Sequence, residues 1–149
     1  MKYYSTNGKA DRATLHEAVV KGLASDKGLF MPEVIRHLPE SFFDEIQDLS
    51  FQEVAYRVAD AFFGEDVEHT ALENIVCDTL AFDCPVAKVT ENIYSLELFH
   101  GPTLAFKDVG ARFMARLLGY FIKQEGCNQV NVLVATSGDT GSAVANGFL

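Results

Sequence analysis

Apolar residues recur at helical spacing through the first eighty positions of the chain, and this spacing predicts four helices. The second of them is predicted over residues 39–49. Each helix should bury one face, because an apolar stripe of this kind packs against a core. The residues expected to face inward are Leu15, Ala18, Val19 and Leu23; Phe42, Phe43, Ile46 and Leu49; Phe51, Val54, Ala55, Val58 and Phe62; and Leu72, Ile75, Val76, Thr79 and Leu80.

Polar residues and glycines mark where two of these helices begin and end. A Ser or Thr followed three positions later by Glu is a capping box, which predicts a helix start, and a glycine past the last apolar residue predicts a helix end. Two short β-prone segments, residues 3–6 and 29–31, flank the first helix, and Pro32 should stop the second segment. The pattern predicts an N-terminal helical domain over residues 1–83. The capping and terminating residues are Thr14 with Glu17, Ser50 with Glu53, Gly22 and Gly64.

The second half of the chain alternates strand-like and helical patterns. Residues 85–89 and 93–99 predict a hairpin or two successive strands. A helix should follow from residue 107 to about 125, with an apolar stripe that includes Leu117 and Phe121. The β-branched run 130–135 is typical of a buried parallel strand, and another helix should begin near Thr140. Strand, helix and strand in this order predict a right-handed βαβ unit, the beginning of an α/β domain over residues 84–149.

Composition excludes several classes of protein. The 149 residues carry a net charge of −9, which argues against nucleic acid or an anionic membrane as a partner. No apolar run approaches the 18 residues that a membrane helix needs. Cys77, Cys84 and Cys127 are odd in number and lack metal-ligand spacing. They are expected to be small buried residues in a reducing cytoplasm, and no metal site is expected.

One lysine stands where a strand passes into a helix. Lys107 follows the predicted strand 93–99 and begins the next helical stripe. The positive end of the helix dipole disfavours an ammonium there, so the neutral, nucleophilic amine should be more available for a Schiff base with an aldehyde cofactor. The alternative is an ordinary solvated lysine paired with Asp108, which is the usual state of a lysine in a first turn.

A second candidate site lies in the loop of residues 136–142, between the predicted strand 130–135 and the last helix. Small residues at the carboxyl end of a strand let backbone N–H groups converge on an anion, helped by the helix dipole. An ordinary αβ connection would have a similar composition, so the loop alone is a weak signal.

Residues 96–108 have the sequence Leu-Glu-Leu-Phe-His-Gly-Pro-Thr-Leu-Ala-Phe-Lys-Asp. This sequence resembles the cofactor-lysine segment of the threonine synthases. More broadly, Pro-Thr-x-x-Phe-Lys-Asp resembles the fold-type II (tryptophan synthase β-like) pyridoxal-phosphate enzymes. Residues 136–142, Thr-Ser-Gly-Asp-Thr-Gly-Ser, resemble the loop that binds the substrate α-carboxylate in that superfamily, and Asp139 is the form seen in threonine synthases. The resemblance extends over residues 1–149 and is strongest over 96–142.

The resemblance implies a doubly wound parallel-sheet domain that binds pyridoxal 5'-phosphate. It implies that Lys107 carries the cofactor and then moves protons at the substrate carbons, while Phe106 packs near the cofactor ring. It also implies that Asp139 points its charge either away from the substrate or toward the cofactor. The implied small-molecule substrate is O-phospho-L-homoserine, converted with water to L-threonine and phosphate in threonine biosynthesis. The residues implied to bind the substrate are Ser137, Gly138, Asp139 and Thr140.

Other interpretations remain open at the level of sequence. Another fold-type II enzyme, such as a dehydratase or a threonine-synthase-like phospholyase, would share the lysine motif. The His-Gly-Pro-Thr sequence argues against a dehydratase. A non-catalytic interaction module is a third possibility. The last residues form an apolar helical pattern, and enzymes of this family are several-fold longer, so an inactive N-terminal fragment lacking the cofactor-phosphate loop is expected. The sequence does not indicate an oligomeric state.

Overall fold

The computed structural model describes residues 1–126 and 130–149, which form two compact units, Met1–Cys77 and Asp78–Leu149. The fold mixes helices and strands. No helix in the described ranges is long and apolar enough to cross a membrane. In chain order the elements are β1 Tyr3–Ser5, α1 Leu15–Lys21, β2 Phe30–Pro32, α2 Glu40–Glu45, a 3₁₀ turn Ile46–Asp48, α3 Phe51–Phe63, α4 His69–Thr79, β3 Val86–Lys88, β4 Tyr94–Leu96, α5 Lys107–Gln124 and α6 Asp139–Gly147.

The two short apolar segments of the first unit pair with each other. β1 and β2 form an antiparallel ribbon in which Tyr3 lies opposite Pro32 and Ser5 lies opposite Phe30. Pro32 is the last residue of β2 rather than the residue that stops it, which a two-stranded ribbon tolerates because proline can occupy an edge strand. Tyr3 and Ser5 are buried, so this ribbon contributes to the core of the unit.

Asp26 fastens the loops around this ribbon. Its carboxylate accepts hydrogen bonds from Ser5 Oγ at 2.6 Å, from Lys9 N at 2.9 Å, and from Ala10 N and Gly28 N at 3.0 Å. The bond from Ser5 and the three backbone N–H groups lower the pKa of Asp26 from 3.8 to about 2. Four donors on one carboxylate stabilise its charged form, so the ionised side chain is part of the fold.

We expect Asp26→Asn to lower the melting temperature at pH 7, because the amide cannot accept all four bonds. The pKa of Asp26 is lower in the folded state, so its stabilisation is complete above pH 3.8 and is lost as the pH falls toward 2. The difference between the two proteins should therefore shrink across that range. Thermal unfolding followed by circular dichroism from pH 7 to pH 2 measures this. The exposed Asp44→Asn is the control, and an equal gap at all pH values would contradict the assignment.

Both predicted capping boxes are formed. Thr14 Oγ1 accepts from Glu17 N at 3.2 Å while Glu17 Oε2 accepts from Thr14 N at 2.9 Å, and Ser50 and Glu53 make the same pair of bonds at the start of α3. The predicted helix ends, at Gly22 and Gly64, are confirmed as well. The inward face of α4 is also correct: its buried residues are Leu72, Ile75, Val76 and Thr79.

Other inward residues were predicted wrongly. Residues 39–49 form α2 and a separate 3₁₀ turn instead of one helix. Phe42 is buried, whereas Phe43, one position on and hence about 100° around α2, is exposed, as is Ile46 in the 3₁₀ turn. In α3 the buried residue is Ala59, which lies one position from Val58 and hence about 100° around the helix. The inward residues that are exposed in the structure are Leu23, Phe43, Ile46, Phe51 and Val58.

The second unit begins with the predicted hairpin. β3 and β4 are antiparallel, with Val86 opposite Leu96 and Lys88 opposite Tyr94, and both are shorter than the segments 85–89 and 93–99. The predicted parallel strand 130–135 is not formed, because a strand requires hydrogen bonds to a neighbour and no described segment pairs with it. Leu133 is 95% exposed. The described residues therefore contain no βαβ unit.

Two helices form the interior of the second unit. Ala111, Ala115, Leu117 and Phe121 of α5 and Ala143 of α6 are buried, as expected for Leu117 and Phe121. A side chain at Gly147 would place its Cβ 3.0 Å from Ala111 O, so glycine allows the two backbones to approach closely.

Arginines from α5 bind the end of α4. Arg112 donates from Nε to Thr79 O at 3.1 Å and from Nη2 to Asp78 O at 2.6 Å, and Arg116 forms an ion pair with the Asp78 carboxylate. The last carbonyls of a helix have no partners within the helix, and the Arg112 guanidinium satisfies two of them here. Asp78 and Thr79 are thus bonded to the middle of α5.

Candidate cofactor and substrate site

Lys107 is the first residue of α5, where the sequence predicted a helix start. Its side chain is half-buried, and Nζ lies 4.4 Å from the centre of the Phe106 ring, itself 61% exposed. The amine therefore lies against an aromatic face at an open surface. The alternative of a simple pair with Asp108 is not supported, since the carboxylate of Asp108 is bonded to Thr103.

The turn before Lys107, residues 100–106, has an unusual backbone. Leu104 has φ of 58°, in the left-handed region that favours glycine, and its N–H donates to Gly101 O at 3.0 Å. Asp108 N donates to Ala105 O at 3.1 Å, which joins this turn to the first residues of α5. The direction in which Lys107 leaves the helix is therefore set by a tight, hydrogen-bonded turn.

Glu97 and His100 form a side-chain pair at the start of this turn. His100 Nε2 lies 2.7 Å from Glu97 Oε2, and the imidazole stacks on the Phe99 ring with the ring centres 4.8 Å apart. Both residues belong to the motif of residues 96–108, but no role was predicted for either. Their spacing of three positions is the sequence feature from which the pair could have been predicted.

The second predicted segment lies at the start of α6. This helix begins at Asp139, one residue before the predicted start near Thr140, and Gly138 precedes it with φ of 152° and ψ of −84°. Gly138 N donates to Thr136 Oγ1 at 3.3 Å. Ser137, Gly138 and Asp139 are exposed and Thr140 is half-buried. The hydroxyl groups and the positive end of the helix are thus open to an approaching anion.

The two helices that these segments begin, α5 and α6, pack on each other. Near Lys107 the contact comes from the end of α6 and not from its start: Gly147 lies against Ala111, about one helical turn after Lys107. A cavity of about 450 Å³ lies on the other side of α6, lined by Val132, Val134, Thr136, Gly141, Val144, Ala145 and Phe148. Its lining is mainly apolar, so it is not the anion site itself.

This set of groups matches the needs of an aldehyde cofactor and an amino-acid substrate. The amine of Lys107 can bond an aldehyde carbon, Phe106 offers an exposed ring beside it, and the start of α6 offers hydroxyl groups for a carboxylate. In the described residues no group of three or more His, Cys, Asp or Glu side chains could hold a metal ion.

Known proteins resemble this chain along nearly its whole length. The sequence model of the family described as "Threonine synthase N terminus" matches residues 2–80. The chain belongs to this family. Threonine synthase from Serratia marcescens is 42% identical and that from Escherichia coli is 40% identical, each over 99% of this chain. The chain spans about a third of the length of these curated relatives, since it covers 34% of each.

Solved structures of threonine synthases have the same fold as this chain. The crystal structure of the Escherichia coli threonine synthase matches with a TM-score of 0.90 at 40% identity, over 99% of this chain and 34% of that one. A threonine synthase from Brucella melitensis, described as bound to PLP, matches with a TM-score of 0.92 at 37% identity, over 99% of this chain and 33% of that one.

The bonds that close the turn before Lys107 could not be predicted from the sequence. Asp108 and Thr103 belong to the motif of residues 96–108, and Asp108 was expected only as a possible ion-pair partner of Lys107, yet Asp108 bonds to Thr103. The complete burial of Asp108, 0% exposed, depends on the folded turn and leaves no local signal in the sequence.

Of the three cysteines predicted to be buried, two lie in the described ranges. Cys77 and Cys84 are free thiols and half-buried rather than fully buried. Burial, and then the charge of Asp83, raises the pKa of the Cys84 thiol, which favours its neutral form. Cys127 lies outside the described residues.

Proposed function

We propose that the chain supplies the lysine-bearing part of the active site of a threonine synthase. Such an enzyme is a pyridoxal-phosphate-dependent lyase that converts O-phospho-L-homoserine and water to L-threonine and phosphate. The observation that carries the proposal is the position of Lys107, at the first residue of α5 and beside an exposed aromatic ring. The similarity to threonine synthases at 40–42% identity supports the choice of this reaction.

In this proposal the start of α6 binds the substrate carboxylate. Ser137, Gly138, Asp139 and Thr140 surround the positive end of that helix, where backbone N–H groups and hydroxyl groups can donate to an anion. The carboxylate of Asp139 would repel the substrate at close range, so it points either away or toward the cofactor. Binding at this end fixes the amino acid with its reacting carbons toward the lysine segment.

Lys107 has two successive roles in the proposal. Its amine first holds the cofactor, with Phe106 packed near the ring, and pyridoxal phosphate when bound supplies an electron-withdrawing ring that stabilises negative charge on the substrate carbons. After the substrate amino group has displaced it, Lys107 Nζ takes and returns protons at those carbons.

The same proposal assigns the architecture and the setting. Residues 1–83 are the helical N-terminal domain, and residues 84–149 begin the doubly wound parallel-sheet domain that binds the cofactor. In that sheet the β-branched run 130–135 becomes a strand once neighbouring strands donate and accept its hydrogen bonds. In this proposal the protein works in the cytoplasm on a small-molecule substrate. Its net charge of −9 argues against nucleic acid or an anionic membrane as a partner.

A chimeric enzyme tests the proposal. Residues 1–149 replace the aligned segment of the Escherichia coli threonine synthase, and the same exchange with the Serratia marcescens segment shows that the junction is tolerated. The chimera should restore growth of a strain lacking threonine synthase and release phosphate from O-phospho-L-homoserine. The 149 residues alone should bind the cofactor weakly and release none. A folded chimera without turnover, beside an active Serratia control, would count against the proposal, as would turnover of another phosphorylated amino acid only.

A further inference from the structure

Asp108 is a fully buried carboxylate directly beside the candidate cofactor lysine. Its exposed fraction is 0%, although it lies at the second position of α5, next to a half-buried residue. Burying a carboxylate is unfavourable unless its oxygens are hydrogen-bonded, so a group in this position has specific partners.

Both oxygens of Asp108 are bonded to one residue of the preceding turn. Oδ2 accepts from Thr103 N at 2.9 Å, and Oδ1 accepts from Thr103 Oγ1 at 2.7 Å. Bonds to an ionised acceptor are about twice as strong as bonds between neutral groups. Two such bonds to one residue hold Thr103 in a fixed position relative to Asp108.

The turn that these bonds hold is strained and tightly packed. Leu104, next to Thr103, has its backbone in the left-handed region, which is unfavourable for a residue with a Cβ atom, and its side chain is 75% exposed and gains little by burial. Gly101 lies against Asp108 so closely that a Cβ there would come within 2.5 Å of Oδ2. Such a backbone persists only when surrounding contacts hold it.

We propose that Asp108 is a positioning residue, whose buried carboxylate holds the turn of residues 100–106 against the start of α5 and thereby fixes the direction of the Lys107 amine. Lys107 is the last residue between the turn and Asp108, and its Nζ lies over Phe106, which belongs to the same turn. If the turn moves, both the lysine and the ring beside it move. The inference rests on the proposed function of Lys107.

Two substitutions remove the bonds of Asp108 to different extents. The carboxylate accepts with one oxygen from the backbone N–H of Thr103 and with the other from its hydroxyl group. Asparagine is a poor probe, because the Thr103 hydroxyl can accept from its NH₂ group while its oxygen accepts from the N–H. Asp108→Ala removes both bonds, and Thr103→Val removes the hydroxyl bond while keeping the backbone N–H.

Reductive labelling of the chimeric enzyme tests the proposal without any need for turnover. Pyridoxal phosphate and borohydride are added, and peptide mapping compares the label on Lys107 with that on the other six lysines of residues 1–149. In the unchanged chimera Lys107 should be preferred. Because misplacement by about 1 Å can cost up to about 10²-fold in reactions that depend on orientation, we expect Asp108→Ala to reduce this preference about tenfold. Thr103→Val should act in the same direction, and Thr103→Ser, which keeps the hydroxyl group, should retain the preference.

The controls separate positioning from folding and from the proposed function. Glu91→Gln, an exposed carboxylate in the hairpin turn, should leave the labelling unchanged. Circular dichroism selects variants that remain folded, and Thr103→Val decides the matter if Asp108→Ala unfolds. Undiminished preference for Lys107 in either folded variant would overturn the positioning role and leave the proposed function standing. No preference for Lys107 in the unchanged chimera would instead overturn the proposed function, and the positioning role with it.

Discussion

Alanine in place of Lys107 is expected to lower the turnover of the chimeric enzyme at least about a hundredfold, because a positioned proton-transfer group contributes roughly 10²–10⁴-fold to a reaction. The substitution also removes the amine that holds the cofactor. Steady-state release of phosphate from O-phospho-L-homoserine measures the loss. Borohydride reduction of the Lys107→Ala enzyme with pyridoxal phosphate should leave no label on the peptide that contains position 107.

Two other lysines of the same unit provide matched controls. Lys123 lies in the last turn of α5, at the opposite end of that helix from Lys107. Lys88 is exposed at the end of β3, in the antiparallel hairpin. Lys88→Ala and Lys123→Ala should retain turnover and the label on Lys107. A fully active Lys107→Ala enzyme, or cofactor attached to Lys88 or Lys123 in the unchanged enzyme, would disprove the assignment.

Removal of the Ser137 hydroxyl should weaken substrate binding while the cofactor stays attached. Ser137 is exposed immediately before Gly138, at the positive end of α6. A hydrogen bond to a charged group contributes about 1.5–3 kcal/mol, and 1.4 kcal/mol corresponds to a factor of ten, so Ser137→Ala should raise KM about tenfold or more. Initial rates at varied O-phospho-L-homoserine concentration measure KM, and reductive labelling of Lys107 measures cofactor attachment.

The same substitution elsewhere in the unit serves as the control for Ser137. Ser95 is an exposed residue of β4, and Ser95→Ala should leave both KM and labelling as they are. If Ser137→Ala had the kinetics of the Ser95→Ala enzyme, the loop of residues 136–142 would not be the carboxylate site. If it abolished labelling of Lys107 as well, the loop would act on the cofactor rather than on the substrate.

Features set by neighbouring residues could be predicted from the sequence. The capping boxes at Thr14 and Ser50, the glycine that ends α1, and the start of α5 at Lys107 each depend on side chains within four positions. The buried face of α4 was also predictable, since its stripe is uninterrupted over the whole helix. For the candidate site, this was enough to place Lys107 at a helix start and Ser137 before another.

Features that depend on distant partners could not be predicted in this way. The composition of residues 130–135 favours a strand, but strand formation requires a neighbour, and in the described residues this run has none. The exposure of Phe43 and Phe51 depends on how the helices of the first unit pack, which periodicity alone does not determine. Beside Lys107, the role of Asp108 depends on the left-handed backbone of Leu104. Glycine is the usual sequence signal for that conformation, and it is not the residue at this position.

The arginines that bind Asp78 and Thr79 affect where two members of the family can be joined in a hybrid protein. The family's sequence model ends at residue 80, which suggests a module boundary there. Yet Asp78 and Thr79 are bonded to Arg112 and Arg116 of α5, so a recombination event at residue 80 would inherit the helix end from one parent and its guanidinium partners from the other. Junctions that keep these four residues together should give folded hybrids more often.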